Sequence, residues 1–591
     1  MRVTADALHG VRAAAPVHPL GSRATVLLTS VFGPYAQDDE YGSRALNPME
    51  LYQNQVTRAE GPFSLRMFHR SWGIMLIQAN LSAPCTVLDF PTLERFISEL
   101  QSFSYDIVGI SSILPNIDKV KAMCRLVREH RPRATIVVGG HVANAPMLHE
   151  RIDADYIVPG EGVRWFRRFL GEDANQPIRH PLISSAIGTR TMGMHVGNKG
   201  RDVAATLIPS VGCPMGCNFC ATSAMFGGKG KFINFYETGD ELFQVMCGIE
   251  KGMGVRSFFV MDENFLLHRT RALRLLELIE EHGKSWSLYV FSSAHVVQSY
   301  PIERLVRLGI SWVWMGLEGK NSRYAKLQGI DTRALVQTLQ AHGIRVLGSS
   351  IIGLEEHAPD NLDDAIEYAV SHSTDFHQFM LYTPIPGTAL YAEHAANRTL
   401  LDPSEYQEGD IHGQAIFRHR HPRIPRGHET EFILKAFRRD FEVNGPSVLR
   451  IARTVLAGWK RYRHHADPRV RNRFAWEARD LVVTFPATLW AARRWFRGRN
   501  PELVRKLSGL LEEIQREVGL TARVVAPLAG RLVWSKLRQE DARLKTGWTC
   551  EPPTFYEVNQ RMSCQRRQWT CPPALIKWVA ARELVQTEHS I

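Results

Sequence analysis

The sequence predicts an α/β protein in three parts: an amino-terminal doubly wound, Rossmann-like parallel sheet, a partial six-stranded barrel of strand–helix repeats, and a mainly helical carboxyl-terminal region. Three observations predict it. Short apolar, β-branched runs alternate with amphipathic stretches from residue 24 to about 170. The alternation resumes between 204 and 390 with six candidate strands. Beyond 392 helical patterns dominate. Continuous apolar strands separated by helices belong to parallel sheets buried on both faces, and 591 residues exceed what one core organises. The expected divisions are an extension (1–23), a first domain (24–175), a linker (176–199), the barrel (200–395) and the helical region (396–591).

In the first domain the expected strands are Ala24–Ser30, Cys85–Asp89, Asp106–Ser111, Thr135–Gly140 and Ala154–Val158. Between the third and fourth, Val120, Met123, Cys124 and Val127 recur at helical spacing and share one face. Open parallel sheets bind ligands beyond the carboxyl ends of their strands. Those ends carry Ser111 and Ser112, then Gly139 and Gly140, then Glu161 between two glycines. Glycines let a flat ligand approach the backbone, although a response-regulator or flavin domain would carry similar ones. The polar stretch from Gly33 to Ser71 is long for a loop. It reads as an interface element or as a surface insertion.

The barrel strands are expected at Leu207–Ser210, Ser257–Met261, Ser287–Ser292, Trp312–Gly316, Val346–Ile352 and Gln378–Tyr382, with helices such as Arg271–Ile279 between them. Six repeats suit an open barrel rather than a closed eight-stranded one, and chemistry in parallel barrels sits at the carboxyl ends of the strands. Asp262 and Glu263 end the second strand, Ser292 the third, Glu318 the fourth and Gly353 the fifth. For each of the acids the ordinary alternative is a helix cap or a surface carboxylate. After the sixth strand, Thr383–Tyr391 contains two prolines and a glycine that force an abrupt turn.

Just after the first barrel strand comes Gly-Cys-Pro-Met-Gly-Cys-Asn-Phe-Cys, placing Cys213, Cys217 and Cys220 together. Structural zinc takes four ligands, usually as two Cys-x-x-Cys pairs, and this triplet has no partner pair nearby. Pro214 and Gly216 break regular structure, so the backbone is free to wrap a compact object. Iron–sulfur clusters are held by thiolates. Three thiolates on a four-iron cluster leave one iron open for a ligand.

The spacing of three residues and then two matches the radical S-adenosylmethionine (SAM) enzymes. With the sheet domain upstream, the chain resembles the cobalamin-dependent radical SAM family. The resemblance implies a 4Fe-4S cluster on Cys213, Cys217 and Cys220, whose open iron takes the amino and carboxylate groups of SAM. It implies SAM contacts from Phe219, Asp262, Glu263, Ser292, Glu318 and Gly353, and cobalamin contacts from Ser111, Ser112, Gly139, Gly140 and Glu161. The Thr383–Tyr391 run resembles the family's Pro-x-Pro-Gly-Thr-x-Leu-Tyr element. Two departures stand out. No Asp-x-His-x-x-Gly follows the first strand, so no imidazole is expected under cobalt. Met261 and Asp262 stand where the family's second barrel strand ends in glycines.

The activity implied is reductive cleavage of SAM and, with cobalamin, methylation of an unactivated carbon of a lipid or natural product. A rearrangement, cyclisation or oxidation without methyl transfer, and a non-catalytic cobalamin or cluster sensor, are the alternatives. No catalytic acid or base is assigned. A low-potential electron donor such as a flavodoxin or ferredoxin is the implied partner.

The net charge is +12, much of it after residue 410, in stretches such as Arg418–Arg426 and Trp459–Arg463. No nucleic-acid fold signature accompanies it. Nine cysteines are too few for a secreted disulfide scaffold, Met1–Pro19 lacks an apolar signal core, and no run of about 18 apolar residues appears. The expected location is the cytoplasm, with peripheral contact at the inner membrane face as the alternative. That alternative rests on Leu481–Trp490 and the arginines after it, which otherwise read as a core helix with a basic end. Cys550, Cys564 and Cys571 fit no standard metal spacing.

Overall fold

A computed structural model describes residues 17–33, 41, 49–196, 203–319, 324, 327, 329–548, 550–559 and 561–563. Cys564 and Cys571 lie outside the described residues. The first sheet contains β1 (Val26–Thr29), β2 (Cys85–Asp89), β3 (Ile107–Ser111), β4 (Thr135–Gly139) and β5 (Tyr156–Val158), all parallel, in the order β2-β1-β3-β4-β5. Its strands are apolar on both faces because both are covered. Leu27, Val108, Ile136 and Val138 face the helices Leu93–Ser102 and Ile117–His130. Val26, Leu28, Ile107 and Val137 face Trp72–Ala79 and Gly162–Phe169. A strand from the far end of the chain, Phe555–Val558, pairs antiparallel with β2 and covers that edge. Nothing in the local pattern of the tail announces it.

The second sheet runs β6 (Ala205–Leu207), β7 (Ser257–Val260), β8 (Ser287–Phe291), β9 (Ile310–Glu318), β10 (Arg345–Ile352) and β11 (Phe376–Leu381), parallel and in sequence order. The first of these ends earlier than expected, because Pro209 has no N–H to extend the ladder. Ser210–Val211 pairs instead with Ile233–Asn234 in a small hairpin flanking the cysteine loop. Alternation along each strand sends Val313 and Met315 outward against the helices. It sends Trp312 and Trp314 inward. Their rings stack on those of Tyr289 (5.5 Å) and Phe291 (4.9 Å), so the inner wall is aromatic.

The long polar stretch of the first domain is partly structural. Its helix Leu51–Gln55 closes the amino-terminal end of the barrel. Tyr52 packs on Phe376 and meets the Tyr289 hydroxyl at 3.3 Å, and Gln378 donates to Gln55 at 2.8 Å. Arg66–Phe68 then pairs antiparallel with Ile187–Thr191, so the expected linker carries sheet structure as well.

The helical region wraps the barrel through Glu429–Asn444, Ser447–Tyr462, Pro468–Glu477, Thr484–Phe496, Pro501–Val518 and Leu520–Lys545. Leu481, Ala487 and Leu489 are buried within it while Val482 and Val483 are exposed, so the Leu481–Trp490 run is core mainly in its second half. Among the described residues no helix is long and apolar enough to cross a membrane. Buried polar ties hold this region in place. Glu540 accepts two hydrogen bonds from Arg190, one at 2.9 Å, and Glu60 accepts from the Ser447 amide at 3.1 Å.

Removing one partner of a buried ion pair strands the other charge. Arg190→Met is therefore expected to cost about 3–5 kcal/mol in chemical denaturation; a loss under about 1 kcal/mol, the range of a solvated pair, would contradict that. Burial pushes Glu60 from 4.5 up to about 7, against the pull of Arg450. The fold thus keeps a proton that the unfolded chain has already lost. The contribution of Glu60 to stability falls as pH rises from about 4.5 to about 7. Glu60→Gln is expected to remove that part of the slope of stability against pH, and an unchanged slope would contradict the assignment.

Candidate functional site

The cysteine loop is shaped by two glycines. Gly212 has φ +86°, and a Cβ there would lie 2.7 Å from Phe226 Cβ; Gly216 has φ +63°, and a Cβ would lie 2.6 Å from the Lys229 Cα. Both conformations suit glycine, and neither position has room for a side chain. The loop is then pinned by hydrogen bonds. Cys220 N donates to Cys217 O at 3.0 Å, Ser223 Oγ to Cys213 O at 2.7 Å, and Gly230 N to Pro214 O at 2.8 Å. Cys220 also caps the short helix Ala221–Met225, its Sγ accepting from Ser223 N. The three thiols are half-buried. Burial, followed by smaller effects that include its two neighbouring thiols, pushes Cys213 up to about 11. Among the described residues no three His, Cys, Asp or Glu side chains converge on a single ion site. Three thiolates on one loop suit a cluster in which each iron takes its own thiolate.

The carboxylates that follow β7 have different surroundings. Asp262 is buried and fully engaged. It accepts from Ser210 Oγ at 2.7 Å and Asn264 N at 3.1 Å, and it forms an ion pair with Arg271. Glu263 turns to the Gly212 amide beside Cys213, and its Oε2 is buried without a partner. Burial and the neighbouring Asp262 push it up to about 7. Ser292 donates to Asn264 Oδ1 at 2.9 Å, tying the ends of β7 and β8. Glu318 is buried with φ +52°, where the β9–β10 register shifts, a strained conformation for a residue with a Cβ. Gly353 has φ +79° and leaves room for the Phe417 ring, which would stand 2.3 Å from a Cβ.

On the opposite side of the loop Phe219 packs on Ile351, Leu354, Tyr382 and Leu390. The turn after β11 fastens this patch, since Leu390 N donates to Asn218 O at 2.9 Å. Phe219 and the Ile351–Leu354 segment, far apart in sequence, thus form one apolar surface beside the cysteines.

Over the carboxyl ends of the first sheet lies a cavity of about 160 Å³. Ser111, Gly139, Gly140 and Glu161 line it; Ser112 stands just behind, its amide donating to Gly139 O at 3.2 Å. The cavity reaches down between sheet and helices because Gly109 has no side chain: a Cβ there would lie 2.7 Å from Leu28 Cδ2. The Glu161 carboxylate caps the helix Gly162–Phe169, accepting from Arg164 N at 3.0 Å. Val211, Met225 and Phe226, from either side of the cysteines, line the same cavity. The two parts of the site therefore share a wall. Sequence reading passed over these three because they are ordinary apolar residues whose importance lies only in where the loop folds.

It also passed over His69 and Trp72. The His69 ring stacks on Phe259 at 5.3 Å, and its Nδ1 lies 2.7 Å from Ser185 O. Burial holds it neutral, at about 4. With Nδ1 donating to that carbonyl, Nε2 is an acceptor, and it has no partner; neither has Trp72 Nε1 nor Thr206 Oγ1. These polar atoms punctuate the aromatic inner wall of the barrel.

Two substitutions should separate the halves of the site. Gly109→Val fills the cavity and is expected to lower bound corrinoid while iron and sulfide stay at the parental level. Cys217→Ala is expected to do the reverse. Loss of both cofactors in both variants would contradict two separately built sites.

Residues 66–170 match the family described as B12 binding domain, from the strand Arg66–Phe68 to the end of the helix Gly162–Phe169. An uncharacterized methyltransferase of Pyrococcus horikoshii is 24% identical over 51% of this chain and 72% of its own length. The bacteriochlorophyllide d C-8(2)-methyltransferase of Chlorobaculum tepidum is 23% identical over 56% of this chain and 76% of its own. Among solved structures, the radical SAM methyltransferase TsrM of Kitasatospora setae, with cobalamin and a 4Fe-4S cluster bound, aligns at a TM-score of 0.46 and 16% identity over 71% of this chain and 88% of its own. In its B12 binding domain match, its curated relatives and its cysteine triplet at the barrel mouth, the chain is similar to the cobalamin-dependent radical SAM enzymes.

Proposed function

We propose that the protein is a C-methyltransferase acting on an unactivated carbon of a largely apolar substrate held against the inner wall of the barrel. The observation that carries this reading is the shared wall between the cobalamin cavity and the cysteine loop. A methyl donor and a radical source must serve the same carbon, so their sites must adjoin. When bound, the cluster, SAM and cobalamin supply one-electron cleavage of the sulfonium, hydrogen abstraction and the methyl group.

The chain's residues do the placing. Cys213, Cys217 and Cys220 would hold three irons of the cluster and leave the fourth to SAM. Glu263, with an unpaired oxygen beside the loop, accepts from the SAM amino group; Asp262, whose oxygens are engaged, holds the turn that aims it. Phe219 and the Ile351–Leu354 surface cover the adenine, with Gly353 keeping the chain close. Ser292 and Glu318, at the ends of β8 and β9, would contact the ribose. Ser111, Gly139 and Gly140 would receive the corrinoid, with Ser112 holding Gly139 from behind and Glu161 fixing the adjoining helix. The rings of Tyr289, Phe291, Trp312 and Trp314 exclude water, and His69 Nε2 offers one acceptor to a substrate hydroxyl or amine. The electron comes from a low-potential flavodoxin or ferredoxin, for which the exposed Lys229 and Lys231 beside the loop offer a positive contact.

SAM cleavage tests the core of this without the substrate. Anaerobically reconstituted protein with dithionite is expected to release 5′-deoxyadenosine, and Cys217→Ala to release none. Glu263→Gln loses a charge-assisted hydrogen bond, so its KM for SAM is expected to rise about tenfold or more. With the methyl acceptor present, S-adenosylhomocysteine should form alongside. Deoxyadenosine formed without it, as the acceptor is consumed, would contradict methyl transfer.

A further inference from the structure

The helix Leu520–Lys545 packs its buried face, which includes Ala522, Ala526, Gly530, Val533 and Leu537, on the helical region. Gly530 lies so close to Trp490 that a Cβ would stand 2.7 Å from the indole. Residues two positions away lie about 200° round the helix. Directly opposite the packed face, therefore, come Leu520, Val524, Leu528 and Leu532, exposed by 74, 51, 62 and 62%. Their spacing of four makes one continuous apolar stripe, about 18 Å long. Single exposed leucines are unremarkable, but an aligned row is not.

Charge decides what covers the stripe. From Leu520 to Gln539 the helix carries Arg523, Arg531, Lys536 and Arg538 and no carboxylate. Arg494, on the neighbouring helix, lies over Trp534 at 4.6 Å, with Arg538 on the same indole at 4.9 Å. A second copy would bring like charges together. An anionic lipid surface satisfies both the apolar row and the cations along it.

We propose that this face docks the protein on an anionic membrane, with Leu520, Val524, Leu528 and Leu532 entering the interface and Arg523, Arg531, Lys536 and Arg538 meeting the headgroups. The surface lies on a different helix from the Leu481–Trp490 run, whose second half is core. Docking does not depend on the proposed methyl transfer, so either can fail alone.

Flotation of the full-length protein with phosphatidylcholine vesicles, with and without phosphatidylglycerol, tests it. The protein is expected to float with the anionic vesicles at low salt and to be released by high salt. Replacing all four stripe residues by Gln should weaken binding at least about tenfold with an unchanged melting temperature, since these side chains contact little in the fold. Arg523→Gln with Arg531→Gln should weaken it on anionic vesicles alone. No flotation with anionic vesicles, equal flotation of the stripe variant, or a parental dimer that the stripe variant converts to monomer would overturn the proposal.

Discussion

The site depends on one packing constraint: the segment from Gly212 to Phe226 must touch two sheets at once. It leaves the end of β6, turns through the three cysteines, and presents Met225 and Phe226 to the cavity over the first sheet. It can do so only because Gly212 and Gly216 allow Phe226 and Lys229 to approach where any side chain would collide. The loop thus fixes the distance between two chemistries that would otherwise belong to separate domains. Covalent chemistry that passes a radical and a methyl group to one carbon tolerates little slack in that distance.

The rest of the molecule supports this contact. The insertion Leu51–Phe68 closes the barrel from below and pairs with Ile187–Thr191, joining the domains by backbone hydrogen bonds. The carboxyl-terminal strand Phe555–Val558 returns to β2, so the helical region is tied at both ends. Among the buried polar atoms without a partner, Glu263 Oε2 lies beside the cysteine loop, and His69 Nε2, Trp72 Nε1 and Thr206 Oγ1 lie at the inner wall of the barrel. Each such group costs about 1–3 kcal/mol.

The strands of both sheets were legible because parallel sheets buried on two faces write continuous apolar runs, and the cysteine triplet was legible because its spacing is chemically specific. What the sequence hid was relational. Asp262 and Glu263 are adjacent and look equivalent; only the fold shows that Arg271 and Ser210 occupy one and leave the other open. His69 was invisible because the stretch around it reads as a polar insertion, and its significance comes from Phe259 and Ser185, far along the chain. The short tail strand could not be read because its partner is more than 460 residues away. The apolar stripe on Leu520–Lys545 was diluted by buried apolar residues on the opposite face of the same helix.

The most direct test of the central claim is Mössbauer spectroscopy of the iron-57 reconstituted protein before and after addition of SAM. Three thiolates on a four-iron cluster predict one distinct iron whose signal alone shifts when SAM binds. Four irons that respond alike, or a site that takes zinc and excludes iron, would contradict the account.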